Sequence, residues 1–333
     1  MMFVSPKHKQ QGVALITALL VAALVTVVAV AMASRQQLDI RRTGNMLEAD
    51  QAYMYALAAE SWATQMLKED KQKTQIDTLT EDWAMKLPPI PIEGGVITGS
   101  VEDLQGRFNL NNLITVSVGN NAANNSNAAK NGQPDQVQIK ILQSLLAQVS
   151  FAEEKVQLSP FVANRVADWI DANLNALADG AEDLLYLGLD VPYRTANRLM
   201  ASPSELAAVA GLSLRDVSAL LPLVTALPVS TAINVNTAPE MVLLSLHEDI
   251  TPRIATELAA MRVNMAFETV AEFVKKLKDD YNVTLDTKLV SVSSEYFLVS
   301  SEAVIGRTTL RMYSLLERKN NVIKVMSRGI GSY

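Results

Sequence analysis

The sequence predicts an α+β fold: one long N-terminal helix, its first part in a membrane, packed on an antiparallel sheet, with an all-α domain inserted into it. Three observations predict it. Residues 13–33 run for twenty-one positions without a charge, proline or glycine, about 30 Å as a helix, which is the hydrocarbon thickness of a bilayer. From residue 135 to 277 apolar residues recur at helical spacing, and after Tyr281 they alternate with period two. A strand pattern at residues 96–104 precedes the helical block, so strands flank the insertion on both sides.

The apolar run has three readings. As a secretory signal it would have Lys7, His8 and Lys9 as its basic region and Ala31-Met32-Ala33 as its cleavage site, but an h-region is normally about 7–15 residues and this run is longer. A plain membrane anchor is the second reading. The third is a leader like that of type IV pilins, short, basic and ending in Gly, with the cut placed before the apolar helix. Lys9-Gln10-Gln11-Gly12 followed by Val13-Ala14-Leu15-Ile16-Thr17 has that form, and it is the preferred reading. Gly12 and Val13 then flank the processing site, and residues 1–12 are the leader. The fifth mature position, usually Glu in pilin-like subunits, is Thr17 here. Arg35, Arg41 and Arg42 beyond the run work against the positive-inside count; the leader pattern is the more specific signal.

After the membrane run no proline appears before residue 71, and Gly44 is the one glycine. A helix over residues 13–71 would be about 90 Å long. Tyr53, Tyr55 and Trp62 are expected on its core-facing stripe. Pro88-Pro89-Ile90-Pro91 ends the helical region. Residues 119–133, rich in Asn, Ala and Gly without apolar period, are expected to be a mobile loop. Asp135, Ser202, Ser213 and Thr251 are candidate helix N-caps, as is Thr237 or Asn236. Strands are expected at residues 290–294, 296–304, 308–318 and 322–327.

Composition narrows the function classes. The formal charge of −6 becomes −8 once Lys7 and Lys9 leave with the leader, an acidic balance that argues against nucleic acid as a main partner. There is no cysteine, hence neither a disulfide nor thiolate chemistry. Of the two histidines only His247 lies outside the leader, and no G-x-S-x-G, Walker A or H-E-x-x-H pattern occurs. An enzyme is not expected.

The stretch with chemistry is acidic: Asp168, Asp171, Asp179, Glu182 and Asp183, with no Lys or Arg inside the span and Gly180 offering a tight turn. Calcium takes six to eight oxygen ligands and is the natural partner for such a set. The spacing is not that of an EF-hand, and a solvated acidic helix end is the alternative.

Four motifs carry a resemblance. The leader, RFNLNNL, the run ADWIDANLNALADGAEDLLYLGLDVPYRTANRLMASPSEL and INVNTAP together resemble the K minor pseudopilins of type II secretion systems, which lack the pilin Glu where Thr17 stands. The resemblance implies a pilin-like α/β domain (residues 34–115 and 281–333) with an inserted helical domain (116–280). The insert would hold SAM- or helix-hairpin-helix-like bundles over about 134–200 and 203–280. It also implies calcium near the junction, with Asp171, Glu182 and Asp183 the foremost ligands, then Asp179 and Asp168. Asn173 stands where the family has a second Asp. Implied partners are the I and J minor pseudopilins in a tip complex, the major pseudopilin, and the prepilin peptidase that cuts after Gly12 and methylates Val13. The implied place is the bacterial inner membrane, single-pass, with the globular part in the periplasm. The block from Ile233 also resembles a DNA-gripping helix-hairpin-helix, but its hairpin Ser245-Leu246-His247-Glu248-Asp249 has no glycine and two acids. A tethered DNA-handling module is therefore the alternative reading.

Overall fold

A computed structural model describes residues 11–86, 88–115, 132–152, 156, 158–320 and 322–331. Residues 1–10 of the expected leader, and all but Gly132 and Gln133 of the expected loop 119–133, lie outside these.

The first helix, α1 (Gln11–Lys73), is continuous. It is also the one helix among the described residues long and apolar enough to cross a membrane, and no residue of its apolar window is buried. Its C-terminal part lies on a five-stranded antiparallel sheet of order β1 (Ile90–Ile92), β2 (Gly95–Asp103), β7 (Tyr296–Ile305), β8 (Thr308–Lys319) and β9 (Val322–Ile330). The contact begins at Glu48, which accepts the Arg307 backbone N–H and the Thr308 hydroxyl at the β7–β8 turn. It ends at Leu67 and Asp70, which hold Arg318 near the far end of β8.

The buried stripe of α1 differs from the expected one. Ala52, Ala56, Ala63 and Leu67 face the sheet, because small side chains let helix and sheet approach closely. Trp62, expected in the core, is 48% exposed, and Tyr53 and Tyr55 are half-buried. Glu60 sits within this stripe at 5% exposure. It accepts the Ser314 hydroxyl at 2.5 Å and two Arg328 N–H groups at 2.7 and 2.8 Å, so the buried charge is paired rather than stranded.

Between β2 and β7 the chain builds a helical block: α2 (Gln136–Ala152), α3 (Val162–Ile170), α4 (Asp183–Tyr186), α5 (Leu214–Leu220), α6 (Glu240–Ser245), α7 (Pro252–Asn264) and α8 (Val270–Tyr281). Asp135, Ser213 and Thr251 cap as expected, and Ser202 caps a 3-10 turn at Pro203–Ala208. Asn236 and Thr237 do not cap α6, which opens at Pro239 without a side-chain cap. Their side chains are committed elsewhere: Asn236 pairs with the backbone of Phe267, and Thr237 donates to Asp103.

The block is not wholly helical. β3 (Phe108–Asn109) pairs in parallel with β4 (Val224–Thr225), and β5 (Ile233–Asn234) with β6 (Val290–Ser291). Phe108, Leu110, Leu113 and Ile114 pack into the same core as the helices, so these residues, expected on the sheet side of a boundary at 115, belong to the block. Three asparagines of RFNLNNL clamp it internally. Asn111 donates to the carbonyls of Met200 and Leu227 and accepts the Met200 N–H. Asn109 accepts the Leu227 N–H, and Asn112 exchanges two hydrogen bonds with Thr231.

Candidate cation site and interdomain junction

The α3 helix ends where acid is needed. Asp168 lies in its last turn and Asp171 is its C-cap residue; three positions apart on a helix, both project from one face. Glu182, the residue before α4, comes back across them, and carboxylate oxygens of all three lie within 4.8 Å of one another. All three are buried, at 0%, 1% and 6% exposure. Asp168 accepts the backbone N–H groups of Leu177 and Ala181, the latter at 2.8 Å. Asp171 accepts the Asn173 N–H at 3.0 Å and its side-chain amide at 2.8 Å. Glu182 is poorer: the Thr195 hydroxyl lies 3.5 Å from Oε2, and Oε1 is buried with no partner.

Gly180 makes the loop possible. A Cβ on it would lie 1.9 Å from Asp168 Oδ2, so any side chain would displace the carboxylate. Trp169, next to Asp168 in α3, stacks edge-on to Tyr186 at 5.3 Å between ring centroids, and both rings are buried.

Electrostatics describe a site short of positive charge. Burial, then Asp168 and Asp171, push the Glu182 carboxyl up to about 7. Burial, with Asp168 beside it, pushes Asp171 up to about 6, and burial raises Asp168 as well. Three desolvated carboxylates with one orphaned oxygen are the donor set that a hard divalent cation suits.

Two of the expected ligands stand apart. Asp183, next to Glu182 and the first residue of α4, is not part of that three-carboxylate group, although the Thr195 hydroxyl reaches both its Oδ1 and Glu182 Oε2. It accepts the Thr195 N–H and hydroxyl at 3.1 and 3.0 Å and lies 3.5 Å from the exposed Arg194 guanidinium. Asp179 is exposed, in a left-handed conformation at φ 56°, and its carbonyl accepts from Arg165. Asp168, expected with Asp179 behind the three foremost ligands, is the most deeply placed member of the cluster.

A second acidic group, Asp70, Asp77 and Glu81, already contains its cation. Arg318 reaches Asp70 at 3.1 Å, pairs with Asp77 and the Ser294 carbonyl, and lies 4.6 Å from the Phe297 ring centroid. Next to it is the joint between sheet and block. Asp103 accepts from the Ser294 hydroxyl at 2.6 Å, the Asn234 amide at 3.0 Å, the Thr237 hydroxyl and the Gln105 N–H. Asn234 also donates to the Asp77 carbonyl. Of these junction residues the sequence singles out only Thr237, and as a helix cap rather than as part of a joint. The polar Asn234 and Thr237 inside INVNTAP were the available signal, and nothing marks Arg318 within its strand.

The joint fixes where the block stands. Along α1, Glu48 meets the β7–β8 turn, whereas Leu67 and Asp70, with Asp77 just past the helix end, gather around Arg318 and Ser294. The block therefore hangs from the end of the sheet farthest from the apolar half of α1. A single membrane-length helix, a small antiparallel sheet on its distal part and a large helical insertion define a pilin-like subunit with an enlarged head.

Comparison with known proteins agrees. Family models described as type II secretion system protein K match residues 106–229 and 233–288. Type II secretion system protein K of Pseudomonas aeruginosa is 38% identical over 98% of this chain and 94% of its own length. That of Pectobacterium carotovorum is 32% identical over 98% of each. The fold is similar to a chain in the crystal structure of the GspK-GspI-GspJ complex from enterotoxigenic Escherichia coli. There the TM-score is 0.70 and the identity 24%, over 88% of this chain and all of that one. The chain belongs to the type II secretion system protein K family.

Proposed function

We propose that this chain is the minor pseudopilin at the tip of a periplasmic pseudopilus, assembled with the I and J minor pseudopilins to prime the filament for protein export. The observation that carries this reading is the position of the helical block at the membrane-distal end of the sheet. A subunit stacked above would collide with it, whereas subunits below meet only the sheet and α1. The crystallised relative named in the complex with GspI and GspJ supports the choice of partners. Thr17 supports it too, since a first subunit has no predecessor whose N-terminal amine requires a carboxylate; its hydroxyl is satisfied by the carbonyls of Val13 and Ala14 at 3.1 and 3.0 Å.

The role is structural rather than catalytic. The prepilin peptidase removes residues 1–12 and methylates Val13, and α1 then holds the subunit in the inner membrane with its head in the periplasm until the major pseudopilin extends the filament below. Asp168, Asp171 and Glu182 would hold calcium, whose charge would offset the buried like charges of the three carboxylates and tie loop 172–182 to the end of α3.

Intact mass and N-terminal sequence of the chain from membranes test the processing: a methylated Val13 start is expected, and a start at Ser34 overturns it. Immunogold labelling of pseudopili tests the place. Label confined to filament ends is expected, and label along the shaft refutes the tip assignment.

A further inference from the structure

We infer that α1 carries a hinge at Thr43-Gly44-Asn45, where the membrane rod meets the head. Residues 13–43 are all exposed, and the first side chain of α1 to hold the sheet is Glu48. Gly44 stands in the gap between the unsupported and the supported helix. Glycine in a helix interior costs about 1 kcal/mol relative to alanine, and such a residue usually persists because a neighbour comes too close for a Cβ. Here a Cβ would meet nothing within 4 Å, so packing gives no reason for it. Thr43 and Asn45 on either side are also weak helix formers, and the three together weaken the helix by about 2 kcal/mol against an alanine run. Strong formers resume at once with Met46-Leu47-Glu48-Ala49.

The surroundings localise the bend. Within the bilayer every backbone hydrogen bond must stay inside the helix, so residues 13–33 are rigid. Gly44 lies about 16 Å beyond Ala33 along the axis, where water can take up an opened backbone hydrogen bond. From Glu48 onward the sheet holds the helix. A tilt at residues 43–45 lets the head change its angle to the rod while both remain folded. Resting on the tip-subunit reading, such a joint lets one subunit stand in a flat membrane and in a filament.

The absence of cysteine makes the test direct. Spin labels on Leu38→Cys and Met54→Cys, both on exposed positions, span the joint at about 24 Å in a straight helix. A second pair, Met54→Cys with Lys68→Cys, lies wholly in the supported part. The full chain in lipid nanodiscs is expected to give a distance distribution across the joint about twofold broader than in the supported pair. Thr43→Ala/Gly44→Ala/Asn45→Ala should narrow it to the width of that pair. Equal widths in the unmodified helix, or a width unaltered by the three alanines, overturns the hinge. Because the readout is a distance, it stands apart from whether the chain occupies the tip.

Discussion

The Asn234 side-chain amide donates a 3.0 Å hydrogen bond to Asp103, 131 residues before it in the chain, and with it the helical block is tied to the sheet. Removing the acceptor takes the buried Ser294 and Thr237 hydroxyls from their carboxylate and leaves the Asn234 amide with only the Asp77 carbonyl and the Ser294 oxygen. Asp103→Ala is expected to lower stability by about 3–5 kcal/mol. Chemical denaturation of the detergent-solubilised chain measures this; a loss below about 1 kcal/mol would mean that the joint contributes little.

Calcium should stabilise the full chain against heat, by about 2.7 kcal/mol at a concentration one hundred times the dissociation constant. Gly180→Ala keeps every carboxylate yet drives a methyl group into Asp168. It is expected to lose most of that stabilisation, as Glu182→Gln does, while Asp179→Asn retains it. Equal calcium shifts in all three would remove the site from Asp168, Asp171 and Glu182.

The Asp70 carboxyl sits at about 6, raised from 3.8 by burial and by Glu81 and Asp77 despite the Arg318 guanidinium. One cation serves three acids there. A carboxyl raised in the folded state contributes stability that is complete below its unfolded value and lost as pH rises through the folded value. Relative to Asp70→Asn, the natural chain should therefore lose about 2 kcal/mol between pH 4 and pH 7. Parallel stability curves for the two chains would contradict this.

Thr17→Glu adds the carboxylate that shaft subunits carry. The variant is expected to insert into the membrane normally and to reduce secretion several-fold, because it is drawn beneath other subunits. Incorporation along the shaft with unchanged secretion would count against the tip reading.

What was legible in the sequence had a period. The apolar run, the helical spacing from residue 135 onward and the alternating strands after Tyr281 reach α1, the block and β7–β9 within one or two residues at most ends. The two-residue strands β3, β4 and β5 are too short to have a period and escaped, whereas β6 falls inside the strand expected at 290–294 but pairs with β5 rather than joining the main sheet. The α1 stripe is not where side-chain size points, because alanines make the close contact with the sheet and Trp62 stays outside it. In the acidic stretch, composition pointed to the site but could not say that Glu182 joins Asp168 and Asp171 while its neighbour Asp183 is held by the backbone N–H and hydroxyl of Thr195, twelve residues later.

Asp103 on β2 pairs with Phe297 on β7, so the sheet joins segments made at opposite ends of synthesis. In synthesis α1 comes first, and most of the sheet that covers its alanine stripe follows only after the whole helical block. Glu60 waits with that stripe, and the guanidinium that balances it belongs to Arg328 in the final strand. The subunit is thus finished from its last residues inward. Without β9, Glu60 keeps the Ser314 hydroxyl but lacks the Arg328 guanidinium, so its charge is left uncompensated on an apolar helix face.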